Sequence, residues 1–296
     1  MKLLKALLFF ALFLMFLGTS LCFALEERVE RTFYLDGPGK LSISTVVGNI
    51  EIVTHKENTI QMTATKKLVG LPTDEARKIL NAIKIKTEQV GNQIFIKSEY
   101  FPMGFAKFWF DLKQLLTSGK TSNLEIKYRL LVPAETEINF STVSGEVSIQ
   151  KTRGRCTGKT VSGSVICEEV EKELSISTVS GKMKIAGQGK LFLKSVSGDV
   201  WVDVQKSEQA QNLIVSTVSG KVTVVLPENT SVNLSVKTVS GNFDSEFPIL
   251  LEGDNRVSDK RFQGKIEGSA RQIVNCKIET VSGNISLRKK EEVTYL

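Results

Sequence analysis

The chain has 296 residues, 41% hydrophobic, 24% charged and 7% aromatic, with four cysteines and a single histidine. That length and composition allow one or two domains with a full core, and they exclude a disordered, collagen-like or disulfide-dense protein. One histidine argues against His-based metal sites and His-dependent catalysis, and a formal net charge of +7 suits anionic envelope polymers or lipid head groups, unless it marks only a solvated surface.

Residues 1–24 read as a secretory signal peptide. Lys2 and Lys5 form a basic start, an apolar run covers Ala6–Leu17, and Cys22-Phe23-Ala24 ends in a small-x-small pattern that places cleavage after Ala24. The competing reading is an uncleaved anchor over residues 6–25, just long enough to span a bilayer. Cleavage leaves 37 Lys and Arg against 32 Asp and Glu, a net charge of +5. The chain then divides into first strands and a first repeat at 25–67, an insertion at 68–123, and a repeat domain at 124–296.

Within the insertion, Pro72-Thr73-Asp74-Glu75 followed by Ala76, Ile79, Leu80 and Ile83 predicts an amphipathic helix capped by Thr73. A hairpin over 83–88 and 93–98 follows, turning at Gly91-Asn92. A second helix, 104–116, sets Phe105, Phe108 and Trp109 on one face. It is either a cap over the end of the repeat stack or a helix lying in a membrane interface.

The decisive feature is a repeated Thr-Val-Ser-Gly, eight copies counting close variants, ending at Gly48, Gly145, Gly163, Gly181, Gly198, Gly220, Gly241 and Gly283. Spacings from Gly145 onward are 18, 18, 17, 22, 21 and 42, the last suggesting a hidden degenerate copy near Gly264–Gly268. Around each glycine, apolar residues recur seven and five positions before and two and four after, as at Leu174/Ile176 and Met183/Ile185. Each unit is therefore two short strands with period-two alternation, joined by a corner where the apolar phase slips by one residue. The glycine falls on the inner face, where the corner packs tightly. Placing the motif valines in the core as well predicts that Val179→Asp or Val218→Asp unfolds the protein. Units this small cannot bury their own faces and must stack. The fold class is all-β: a parallel β-solenoid of about eight or nine short repeats with a small α/β insertion.

These repeats, with the 123–132 segment NLEIKYRLLV and the C-terminal TVSGNISLR, resemble a bacterial family of exported or membrane-linked β-strand-repeat proteins of unknown function, labelled "putative adhesins". The resemblance covers about residues 36–60 and 124–288. It implies a β-solenoid and a non-enzymatic envelope role, and it carries over no catalytic residue.

The residues themselves point the same way. The position after the repeat glycine reads Asn49, Glu146, Ser164, Lys182, Asp199, Lys221, Asn242 and Asn284, with no acidic column for polysaccharide cleavage. The Thr and Ser of the motif form a hydroxyl ladder with no base beside it. Cys156, Cys167 and Cys276 take inward positions; export would permit a Cys156–Cys167 disulfide, which spacing alone leaves open. No cofactor, metal or nucleic-acid module is indicated. Four outward positions are apolar, Trp201 with Ile166 in one column and Phe192 with Ile214 in another; they form a binding surface or lie under a covering segment. The expected protein is an exported, adhesin-like scaffold in the periplasm or at the cell surface, with an envelope polymer, surface glycan or protein as partner and possible membrane association. The alternatives are a membrane-linked component of envelope stress signalling and, less favoured, a carbohydrate-active β-helix enzyme.

Overall fold

A computed structural model describes residues 24–100, 123–207, 210–253, 260–270 and 273–290. The signal or anchor segment before Ala24 and the 104–116 helix with Phe105, Phe108 and Trp109 lie outside them. The chain runs β1 (Ala24–Tyr34), β2 (Lys40–Ser44), β3 (Asn49–His55), β4 (Thr59–Val69), α1 (Thr73–Ala82), β5 (Ile83–Val90), β6 (Gln93–Tyr100) and β7 (Asn123–Pro133). It continues through β8 (Glu137–Thr142), β9 (Val147–Gln150), β10 (Cys156–Thr160), β11 (Val165–Val170), β12 (Glu173–Thr178), β13 (Met183–Gly187), β14 (Lys190–Ser195) and β15 (Val200–Val204). The last strands are β16 (Gln211–Thr217), β17 (Val222–Leu226), β18 (Ser231–Lys237), β19 (Phe243–Ser245), β20 (Leu250–Leu251), β21 (Arg261–Ile266), β22 (Ile273–Thr280) and β23 (Ile285–Lys289).

Each repeat sends its first strand to one sheet and its second to another. The first-strand sheet has the order β20-β21-β18-β22-β16-β14-β12-β10-β8-β2-β6-β5, and the second-strand sheet β1-β4-β7-β3-β9-β11-β13-β15-β17-β23-β19. Successive repeats pair in parallel and in register, as in Cys156↔Leu174 and Val165↔Met183. The expected inward columns are buried throughout, for example Ile138, Cys156, Leu174, Leu191 and Leu213 in one sheet and Val147, Val165, Met183, Val200 and Val222 in the other. This is a parallel β-solenoid.

The corner differs from the sequence expectation in one respect. Thr, not Val, points inward. The motif Thr or Ser residues Thr45, Thr142, Thr160, Thr178, Ser195, Thr217, Thr238 and Thr280 are all buried, whereas Val179 and Val218 are each 47% exposed. Alternation simply continues through the corner, so positions seven, five and three before the glycine face in together. A buried hydroxyl is tolerated there because it is bonded. Gly163, Gly181, Gly198, Gly241 and Gly283 donate their N–H to it at 2.8–3.0 Å. At Gly48, Gly145 and Gly220, where φ is +120 to +140, the peptide is turned over and the Thr hydroxyl instead donates to the carbonyl of Val47, Ser144 or Ser219.

Two rungs depart from chain order. The last repeat, β22 and β23, sits between the sixth and seventh, pairing with β16 and β17 on one side and with β18 and β19 on the other. The segment expected to hide a degenerate repeat is β21, which runs antiparallel to β18 at the sheet edge. It buries Phe262 and Ile266 and blocks further pairing on that side of β18. At the other end, β6 pairs in parallel with β2 and β7 with β3, one more rung without the four-residue motif. Part of the insertion thus extends the stack.

The described residues divide into two compact units, one comprising 24–27, 66–83, 100 and 123–125, the other the remaining described residues. In the smaller, α1 packs Ala76 and Leu80 on Leu68 and Leu71. Thr73 is its first helical residue rather than its cap; Pro72 occupies the cap position, without a side-chain bond. Its last turn lacks a basic residue. The buried Lys66 supplies one from outside, its ammonium donating to the Leu80 and Ile83 carbonyls and pairing with Glu27 at 2.6 Å.

A Cβ on Gly181 would lie 1.8 Å from the Gly163 carbonyl oxygen. Gly181→Ala should therefore destabilise the fold by more than about 4 kcal/mol, while the exposed Val179→Asp should stay within about 1 kcal/mol of the native chain. Urea or thermal unfolding of the two variants checks both, and the reverse order would overturn the corner assignment.

Candidate functional site

The in-register stack turns single outward side chains into continuous columns. On the first-strand sheet one column alternates in charge, Lys40–Glu137 pairing at 3.1 Å and Arg155–Glu173 at 3.4 Å. It then becomes an asparagine ladder, with Asn275 donating to Asn212 and Asn233 to Asn275 at 3.1 and 3.0 Å. In the next column Phe192 and Ile214 are direct neighbours in register, both half-buried. On the second-strand sheet Ile166 and Trp201 do share a column, but Lys184 stands between them. Its ammonium lies 5.5 Å from the Trp201 ring centroid, a cation–π geometry. The four apolar positions thus make two separate pairs on two different sheets, not one patch.

The most exposed regular apolar feature is at the corner. Val143, Val161, Val179, Val196, Val218, Val281 and Val239 follow one another up the stack, 37–60% exposed. The carbonyls of all but Val239 are engaged by the serine of the next rung, which donates its N–H at 2.8–2.9 Å, as Ser180 to Val161, Ser197 to Val179 and Ser219 to Val196, and its hydroxyl at 3.1–3.4 Å. The signal for this ridge was in the sequence. Continuing the alternation one step past the second apolar position puts Val outside, and only its hydrophobic character argued otherwise.

Acid–base chemistry has little to work with among the described residues. No three His, Cys, Asp or Glu side chains converge on a possible metal position. The His55 ring bonds the Thr59 carbonyl at 2.7 Å. An open groove of 770 Å³ runs past His55, Thr136, Lys151, Arg153 and Glu135. There Glu135 is held below the ordinary carboxylate range by its bond to Lys172 and the neighbouring Arg153; on the sheet face Glu137 is held down likewise by Asn139 and Lys40. That is opposite to the shift a general acid needs. No helix among the described residues is long and apolar enough to cross a membrane.

The family model described as Toastrack DUF4097 matches residues 39–288, and the chain belongs to that family. No curated protein matches it. Among solved structures it is similar to a "putative cell adhesion protein" from Clostridium sporogenes ATCC 15579, at 15% identity over 90% of this chain and 100% of that one, TM-score 0.40. It is also similar to a "putative adhesin" from Bacteroides fragilis NCTC 9343, at 10% identity over 88% and 97%, TM-score 0.34. A third is a "putative lipid binding protein" from Parabacteroides distasonis ATCC 8503, at 12% identity over 90% and 97%, TM-score 0.37.

Cys156, Cys167 and Cys276 are buried free thiols, so the Cys156–Cys167 disulfide that export would permit is absent here. Burial pushes Cys156 and Cys276 up to about 12, and Cys167 well above its ordinary value, with Cys156 adding to the effect. Folded thiols therefore keep their protons where unfolded ones ionise, so for Cys156 and Cys276 the contribution is complete below the unfolded pKa and is lost as pH rises from about 9 toward 12. Stability should fall by about 1.4 kcal/mol per pH unit per thiol in that window. Denaturation between pH 8 and 10 measures the slope. A thiol reagent at pH 8 should leave all three unmodified until the chain unfolds; rapid labelling of the native protein would contradict their burial.

Proposed function

We propose that this Toastrack chain works without catalysis, as a rigid exported scaffold of the bacterial cell envelope that binds a polymer, surface glycan or protein along its outer faces. The observation that carries the reading is the registration of outward side chains into columns at the strand spacing of about 4.8 Å. Such a surface suits an extended or periodic ligand, because many weak contacts on one rigid body add in avidity. Trp201 under Lys184 and the Phe192–Ile214 pair are apolar points in largely polar columns, the kind of residue that anchors an interface. The ion-paired carboxylates and the mixed signs of the columns support binding over turnover.

The test is retention of the full chain on isolated cell-wall polymer and on intact bacteria. Trp201→Ala with Lys184→Gln, or Phe192→Ser with Ile214→Ser, should lower retention by about tenfold or more while leaving the melting temperature near that of the native chain. Unchanged retention in both double variants would remove these faces from the function. Turnover of a glycan would replace the scaffold reading with a catalytic one.

A further inference from the structure

We infer that the valine ridge and the lysines beside it form a docking edge for an anionic lipid surface, distinct from the sheet faces of the scaffold reading. Three of the four motif residues have a structural task at the corner: Thr bonds the turn, Ser bonds the rung below, and Gly makes room for a carbonyl. The seven valines have none that needs an apolar side chain, because they stand 37–60% in solvent. They repeat at the strand spacing, a continuous apolar edge about 30 Å long.

The flanks of the edge select its partner. Lys159, Lys194 and Lys237 stand two positions before a motif valine, and Lys182 and Lys221 directly after a motif glycine. All five are exposed, and none is in an ion pair among the described residues. The basic Arg288-Lys289-Lys290 run behaves differently: its members pair with Asp244, Glu246, Glu228 and Asp203. Of the three carboxylates in the flanking columns, Asp199 accepts the Lys221 N–H at 2.9 Å and Glu279 pairs with Lys277 at 3.1 Å; Glu146 is the third. The charge left over beside the ridge is positive. Two ridges packed together would bring lysine against lysine, which disfavours a second copy as the occupant. A soluble polyanion would satisfy the lysines and leave the valines wet. A bilayer with anionic head groups meets both, the lysines at the phosphates and the valines at the head-group boundary.

The test uses the full chain in flotation with vesicles of phosphatidylglycerol and phosphatidylcholine, and of phosphatidylcholine alone. Expected are salt-sensitive binding to the anionic vesicles, a loss of about tenfold for the joint change of Val161, Val179, Val196 and Val218 to Thr, and a loss of about 100-fold for Lys159, Lys182, Lys194 and Lys221 to Gln. Thermal melts should show every variant folded, since all eight positions are at the surface. Because residues 1–25 could themselves hold the chain on lipid, a nitroxide at Val196→Cys, in a Cys22→Ser chain, reports the edge directly. It should become shielded from a water-soluble relaxing agent on anionic vesicles, and a nitroxide at Ser175→Cys on the sheet face should not. Equal binding to neutral vesicles, native binding by the valine variant, or a Val196 probe that stays in water would each overturn the proposal. Loss of polymer retention in the face variants with vesicle docking intact would separate this edge from the scaffold reading.

Discussion

The stack depends on a place where a side chain cannot be. The missing Cβ of each repeat glycine is replaced by the carbonyl of the glycine one rung below: Gly163 over Gly145 at 2.2 Å, Gly181 over Gly163 at 1.8 Å, Gly198 over Gly181 at 1.9 Å and Gly283 over Gly220 at 2.0 Å, measured to the position a Cβ would take. No other residue permits that approach. The column of backbone on backbone sets the rungs at strand spacing exactly where the chain leaves one sheet for the other, so register in one sheet is transmitted to the other. Where the motif gives out, the contact loosens. Gly48 faces the Ile126 carbonyl of the next rung at 3.0 Å, and that rung has no repeat glycine to set against it.

Once the glycine column is in place, its neighbours are constrained in turn. Bringing the backbones so close buries peptide groups, and each must find a partner. The Thr hydroxyl serves either orientation of the Ser–Gly peptide, accepting from the glycine N–H in five corners and donating to the preceding carbonyl in Thr45, Thr142 and Thr217. Only a group that both donates and accepts can do this, which is why Ser195 replaces Thr without loss while an aliphatic residue does not appear there. The same logic explains local exceptions in the sheets. Gly158 sits in an inward column because the Phe140 ring of the rung below fills the space, 2.0 Å from where its Cβ would be.

The inward columns were legible from alternation alone, and so was the parallel stacking, because a buried period-two pattern repeated at 17–22 residues has few other solutions. Three things were not. Thr and Val in the motif were assigned to the wrong sides, since hydropathy ranks Val as the core residue and takes no account of the hydroxyl's bonded position. The exchange of the last two rungs leaves no trace in the motif itself, which reads Thr-Val-Ser-Gly-Asn in both copies; the flank differs, with Ser245 standing where the other copy has the buried Leu287, as suits β19 at the edge of its sheet. Thr73 looked like a helix cap because it precedes Asp74 and Glu75, yet Pro72, with its fixed φ of −55°, already occupies that position and begins the helix one residue earlier. Of the candidate surface residues, Phe192 with Ile214 and Trp201 with Ile166 fell in the columns expected of them. That Lys184 divides the second pair follows from the register of β13, which places one residue of every rung in each column.

A stack of this kind makes surface composition additive. A substitution at one column position changes one rung, and the neighbouring rungs keep their pairing, so the outward columns can vary while the core and corners cannot. That freedom is visible in the change from charged pairs at Lys40–Glu137 to the Asn212–Asn275–Asn233 ladder within a single column. Against that background the valine at the corner is conspicuous. It is outward, as free to vary as its column neighbours, and within this one chain it is Val in all eight copies. A β-branched residue favours the extended backbone there, but Thr would do so equally and would expose less apolar surface. Backbone geometry therefore accounts for the branching and not for the hydrophobicity, and the apolar edge calls for something outside the chain to meet it.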